Sequence, residues 1–113
     1  MANQLQFLTK SLSIMNYQSV KEDLRLMQKK VLEIDDSWET EIYMSGAGFY
    51  SLLVNPSDYQ PSIILEISVN GLLHSASLYF PFGSHRGRSH CSHDLEEVKQ
   101  RFWKLINREL RPV

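Results

Sequence analysis

Apolar residues recur along this chain at helical spacing, then in alternation, then at helical spacing again. Val20, Leu24, Met27 and Val31 fall on one face of a 3.6-residue repeat, and Ser19 with Glu22 three residues on has the form of a capping box. Together they predict a helix from Ser19 to Glu33. Before it, Leu5, Leu8, Leu12 and Met15 fit a helical stripe, while Leu12 and Ile14 also fit a short alternating strand. Helix is the reading adopted for residues 3–15. From residue 38 to residue 45 the period changes to two: Trp38, Thr40, Ile42 and Met44 lie on one side, and Glu39, Glu41, Tyr43 and Ser45 on the other. That is a strand with an acidic outer face.

Gly46 and Gly48 supply the freedom to reach φ > 0 that a tight reversal needs, and Phe49 to Val54 reads as a strand apolar on both sides. Asn55 to Pro61 contains two prolines and an aspartate and reads as a connection. Ile63, Leu65, Ile67 and Val69 then alternate up to Asn70-Gly71, the dipeptide favoured in two-residue type I′ hairpin turns. A turn there pairs Val69 with Leu72, Ile67 with His74, Leu65 with Ala76 and Ile63 with Leu78, so both strands bury one face. Residues 81–93 read as a long irregular loop. Asp94 with Glu97 caps a last helix whose Leu95, Val98, Phe102, Leu105 and Ile106 face the core, and Pro112 follows its end. The order predicts one α+β domain over residues 1–113: a four-stranded antiparallel meander of two hairpins, with N-terminal and C-terminal helices packed on one face.

Length supports a single domain, because dividing 113 residues leaves pieces too small to bury a useful core. With 42% hydrophobic and 22% charged residues the chain has globular composition. Its apolar runs are short, its first residues lack the pattern of a signal peptide, and Cys91 is the only cysteine. The expectations are no membrane association and a cytoplasmic location.

Charge changes the picture more. The net charge of −1 conceals an absence of Lys and Arg from residue 31 to residue 85, where Glu33, Asp35, Asp36, Glu39, Glu41, Asp58 and Glu66 all lie. A random stretch of that length would hold about six of the 12 basic residues, so the bias bears on partners. Residues before and after it carry a basic excess, with Arg86, Arg88, Lys99, Arg101, Lys104, Arg108 and Arg111 near the C-terminus.

Catalytic and cofactor chemistry find little support. Residues 81–93 hold His85, His90, Cys91 and His93, the residue types zinc prefers, yet His90 and Cys91 are adjacent and no second ligand pair follows. Neither a bound metal nor any other cofactor is expected. Cys91 lies three residues before the cap of the last helix, whose positive end lowers a thiol pKa, but no base or orienting partner is placed for it. There is no Gly-x-Ser-x-Gly elbow, and Gly46-Ala47-Gly48 joins two strands where a dinucleotide fingerprint joins a strand to a helix. The acidic residues around Asp35 lack the glycine and ligand spacing of a calcium loop. His74 falls on the core face, where a hydrogen-bonded structural histidine is expected.

Two functional expectations remain. The first is a non-catalytic protein-binding module of inhibitor, immunity, chaperone or adaptor type, presenting an acidic sheet region with Glu39, Glu41 and Tyr43 to a basic protein partner. The alternative is nucleic-acid binding through the basic loop 84–93, with Arg86 and Arg88, and the C-terminal helix. An α-β-β-β-α order with a basic loop before the last helix resembles double-stranded-RNA modules, which bind by shape and phosphate contact. The chain departs from that pattern in its four expected strands and in having no lysine cluster at the start of the last helix.

Overall fold

Two helices and five strands make up most of residues 17–45, 48–56, 60–80 and 86–112. These are the residues that the computed structural model describes, with backbone alone for 86–88. Helix α1 spans Tyr17–Ile34 and is followed by strands β1 (Glu39–Ser45), β2 (Phe49–Asn55), β3 (Ser62–Ser68), β4 (His74–Tyr79) and β5 (Arg86–Ser92), then helix α2 (Leu95–Glu109). The strands form one antiparallel sheet in the order β1-β2-β3-β4-β5, each paired with its neighbour in sequence. The α+β class and the meander therefore hold, but with five strands in place of four. The expected helix over residues 3–15 lies outside the described residues.

Strand β5 occupies much of the segment read as an irregular loop. Arg-Gly-Arg-Ser-His-Cys-Ser carries no apolar alternation: Ser89 and Cys91 are exposed, and His90 and Ser92 on the inward side are polar groups satisfied by Glu97 of α2. Backbone pairing with β4 makes it a strand. A sequence pattern built on burial does not register such an edge.

Helix α1 begins upstream of its expected start, so Ser19 lies inside it and is not its N-cap. The helical stripe itself holds: Val20, Leu24, Met27 and Val31 are its buried residues. At its far end Asp35 accepts hydrogen bonds from the backbone N–H (2.9 Å) and hydroxyl (2.6 Å) of Ser37, a local turn that delivers Trp38 into the core. Helix α2 has the expected cap: the Asp94 carboxylate accepts from the N–H groups of Glu96 and Glu97. Val98, Phe102, Leu105 and Ile106 are buried, and Leu95 is partly buried against them.

Both helices lie on one face of the sheet, α1 against β1 and β2, and α2 against β3, β4 and β5. Between the layers run rows set by the strand register, Ile42-Leu52-Leu65-Ala76-His90 and Val54-Ile63-Leu78. Burying each large aliphatic side chain there contributes roughly 1.5–3 kcal/mol. Polar links finish the frame. Gln28 of α1 donates to the Thr40 hydroxyl (2.9 Å), and Lys99 of α2 pairs with Asp23 of α1. Gln60 exchanges two hydrogen bonds with the Arg111 backbone, tying the β2–β3 connection to the end of α2. No helix among the described residues is long and apolar enough to cross a membrane.

The hairpin register agrees with the sequence, since Leu65 faces Ala76 and Ile63 faces Leu78. Its turn differs. The Gly71 N–H donates to the Ser68 carbonyl (3.1 Å), closing a turn centred on Val69 and Asn70, one residue earlier than a two-residue type I′ turn. The ladder shows why: the Val69 N–H donates to the Gly48 carbonyl (3.0 Å) and is not available to pair with Leu72, while the Ser68 N–H donates to the ring nitrogen Nδ1 of His74 (3.1 Å). Gly71 still needs its freedom, at φ +72°. Gly71→Val should cost about 1–3 kcal/mol, because a β-branched residue is strained there, whereas Gly71→Asn should recover most of the loss. Equal urea midpoints for the Gly71→Val and wild-type proteins would sink this account of the turn.

Candidate functional site

The helices cover one face of the sheet, and the other face carries no described element. Alternation places Glu39, Glu41, Tyr43 and Ser45 of β1 on that open face, because Thr40 and Ile42 are committed to α1. Two rows cross it in register, Glu41-Leu53-Ile64-Ser77-Ser89 and Tyr43-Ser51-Glu66-Ser75-Cys91. The face therefore grades from carboxylates at β1, through half-buried Leu53 and Ile64, to small hydroxyl side chains on β4 and β5. Ser77 and Ser89 share a hydrogen bond of 3.0 Å. The Ser51 hydroxyl, in contrast, is buried and has no hydrogen-bond partner among the described residues. A buried hydroxyl left in that state costs about 1–3 kcal/mol.

Glu39 and Glu41 are exposed and Tyr43 is half-buried. Beside them a depression of about 370 Å³ is lined by Glu39, Thr40, Glu41, Leu53 and Asn55. Its lining comes from the two neighbouring strands β1 and β2. Glu33 and Asp36, both exposed, continue the acidic surface at the turn from α1 into β1.

Arg86 and Arg88 belong to β5, at the opposite edge of the sheet. Four strand spacings, roughly 19 Å, separate that edge from β1. The two sets of residues singled out from the sequence thus form two surfaces. The histidines of the segment also part company. His90, on the helix side, meets Glu97 at 2.8 Å, Cys91 points to the open face near Ser89, and His93 meets the Leu72 carbonyl. Successive strand residues face opposite ways, so His90 and Cys91 do not converge. Among the described residues no three His, Cys, Asp or Glu side chains are grouped to hold a metal ion.

His74 is buried in the core, as its parity predicts. Burial holds its pKa below the usual histidine value, with smaller contributions from the charges of His93 and Lys99. Accepting the Ser68 N–H at Nδ1 likewise requires the neutral ring. The folded pKa lies below the unfolded one, so this contribution to stability is complete above about pH 6.5 and is lost as pH falls toward the folded value. Urea midpoints between pH 8 and pH 5 should fall more steeply for the wild type than for His74→Asn, by at most about 1.4 kcal/mol per pH unit. Parallel curves would place the proton elsewhere.

Comparison with known protein families, curated protein sequences and solved structures gives no match to this chain. The site therefore rests on its own chemistry. Sequence reasoning did not single out Ser51 or place Glu66 at the centre of the open face. The signal for Glu66 was present as the one charged residue in Ile63-Ile64-Leu65-Glu66-Ile67. Nothing in the sequence marks Ser51, whose isolation depends on its neighbours across the strands.

Proposed function

We propose that this protein is a non-catalytic protein-binding module, of inhibitor, immunity, chaperone or adaptor type, that offers β1 and the adjoining open face to a basic protein partner. The observation that carries this reading is the exposure of Glu39 and Glu41 on one face of an edge strand, within a stretch free of Lys and Arg. Opposite charge across an interface speeds encounter and rejects wrong partners, and the apolar side chains behind the carboxylates supply area for contact. Leu53, Ile64 and Tyr43 are that area.

A second reading draws on the stripe of exposed Lys104, Arg108 and Arg111 at helical spacing along and beyond α2, which with β5 would track nucleic-acid phosphates. Glu96 and Glu97 on the same helix oppose it. Affinity capture with the wild-type protein and with Glu39→Lys/Glu41→Lys, each with and without nuclease, separates the two. A basic protein retained after nuclease and lost with the double variant supports the first. Retention that disappears with nuclease and ignores the double variant supports the second.

A further inference from the structure

We propose that β1 receives an extended, basic segment of a protein partner as a sixth strand of the sheet, lysine or arginine at every second position meeting Glu39 and Glu41. This rests on the protein-binding reading and adds the partner's conformation and pattern to it.

The two edges of the sheet differ in how open they are to another strand. At β5 the pairing with β4 slips between Ser77 and Tyr79, and the strand carries Arg86 and Arg88 around Gly87. An irregular register and charged side chains, lysine above all, are devices that keep a sheet edge from recruiting strands. β1 has a regular register, and its charges are carboxylates, which turn away strands other than basic ones. Its seven residues pair with β2 without interruption, Glu39 with Asn55 through to Ser45 with Phe49, and it contains no proline, lysine or glycine. Among the described residues it is bonded on one side only, so alternate backbone N–H and C=O groups face outward.

Charge then selects the occupant. A second copy pairing through β1 would crowd the Glu39 and Glu41 carboxylates of both molecules along one seam, which opposes self-association. The same carboxylates attract a strand of opposite charge. On the open face such a strand sets its basic residues over the depression lined by Glu39, Glu41 and Leu53. On the helix side its intervening residues lie beside Ile42 and Met44, the latter 56% exposed, and these fit apolar side chains. Lysine or arginine alternating with apolar residues is therefore the pattern the edge accepts, held by backbone hydrogen bonds and chosen by side chains.

A capped nine-residue peptide of alternating lysine and valine is the probe, compared with its glutamate-valine counterpart and with two forms N-methylated at all valines or at all lysines. In a strand, side-chain parity and N–H direction are locked together, so N-methylation of one parity should abolish binding and of the other should leave it intact. Amide resonances of residues 39–45 should shift on titration while those of 86–92 stay in place. The glutamate peptide, and the lysine peptide offered to Glu39→Lys/Glu41→Lys, should each bind at least tenfold more weakly. Equal binding of both N-methylated forms, absence of binding by the lysine peptide, or shifts confined to another surface would overturn strand addition. If any of these occurs while a whole basic partner is still lost on reversing Glu39 and Glu41, the protein-binding reading stands and only the sixth strand falls.

Discussion

Phe102→Ala should remove about 3–5 kcal/mol of stability, a large part of the 5–15 kcal/mol on which a domain of this size rests. Phe102 has no exposed surface, and its ring meets Trp103 edge-on with centroids 5.1 Å apart. Among the described residues it is the largest of the fully buried side chains, on the helix that covers β3, β4 and β5. Truncation leaves a cavity between helix and sheet that neither layer closes without moving, and the penalty grows with the volume left empty. The urea midpoint should fall by about 1–3 M with the slope unchanged. Phe102→Leu should lose much less, because most of the volume is kept. A midpoint for Phe102→Ala within error of the wild type would mean that α2 does not seal the core.

Reversing Glu39 and Glu41 to lysine should do the opposite, leaving stability within about 0.5 kcal/mol per site while association with a basic partner slows by an order of magnitude or more at low salt. Both side chains are exposed and make no described hydrogen bond or ion pair with the core, so nothing inside depends on them. The loss should appear mainly in the association rate and shrink as salt is added, the behaviour of charges that steer encounter. Arg86→Glu/Arg88→Glu is the matched control at the other edge. If that pair abolishes binding and flattens the salt dependence by about two phosphate contacts, while the glutamate pair is silent, the ligand is nucleic acid and the protein-binding reading is wrong.

Where burial imposes a period, the sequence was legible. The stripe Val20-Leu24-Met27-Val31, the alternation through Ile63, Leu65 and Ile67, and the Asp94 cap each predict an element that the fold contains. Glu39 and Glu41 fall on the outer face for the same reason, since Trp38, Ile42 and Met44 hold the other parity. Legibility ended where backbone pairing acts without burial. β5 is a strand because β4 offers it hydrogen bonds, and no residue from Arg86 to Ser92 announces that. The turn lies one position before Asn70-Gly71 because the Gly48 carbonyl takes the Val69 N–H, a pairing across the sheet that the local dipeptide does not carry. Ser51 was hidden for a related reason: whether a hydroxyl is stranded depends on which groups other strands bring to it.

The way the two helices share the sheet also sets an order of events during synthesis. Because every strand pairs with its neighbour in sequence, the sheet assembles from short-range contacts as the chain emerges, and α1 is already available to shelter β1 and β2. The other half has no such cover in hand. Ile63, Leu65, Ile67, Ala76 and Leu78 find their cover in residues 95–110, so a chain lacking that helix would leave this half of the sheet's apolar face open. A fragment ending before Leu95 would display that surface, and this is the species a holding chaperone should recognise.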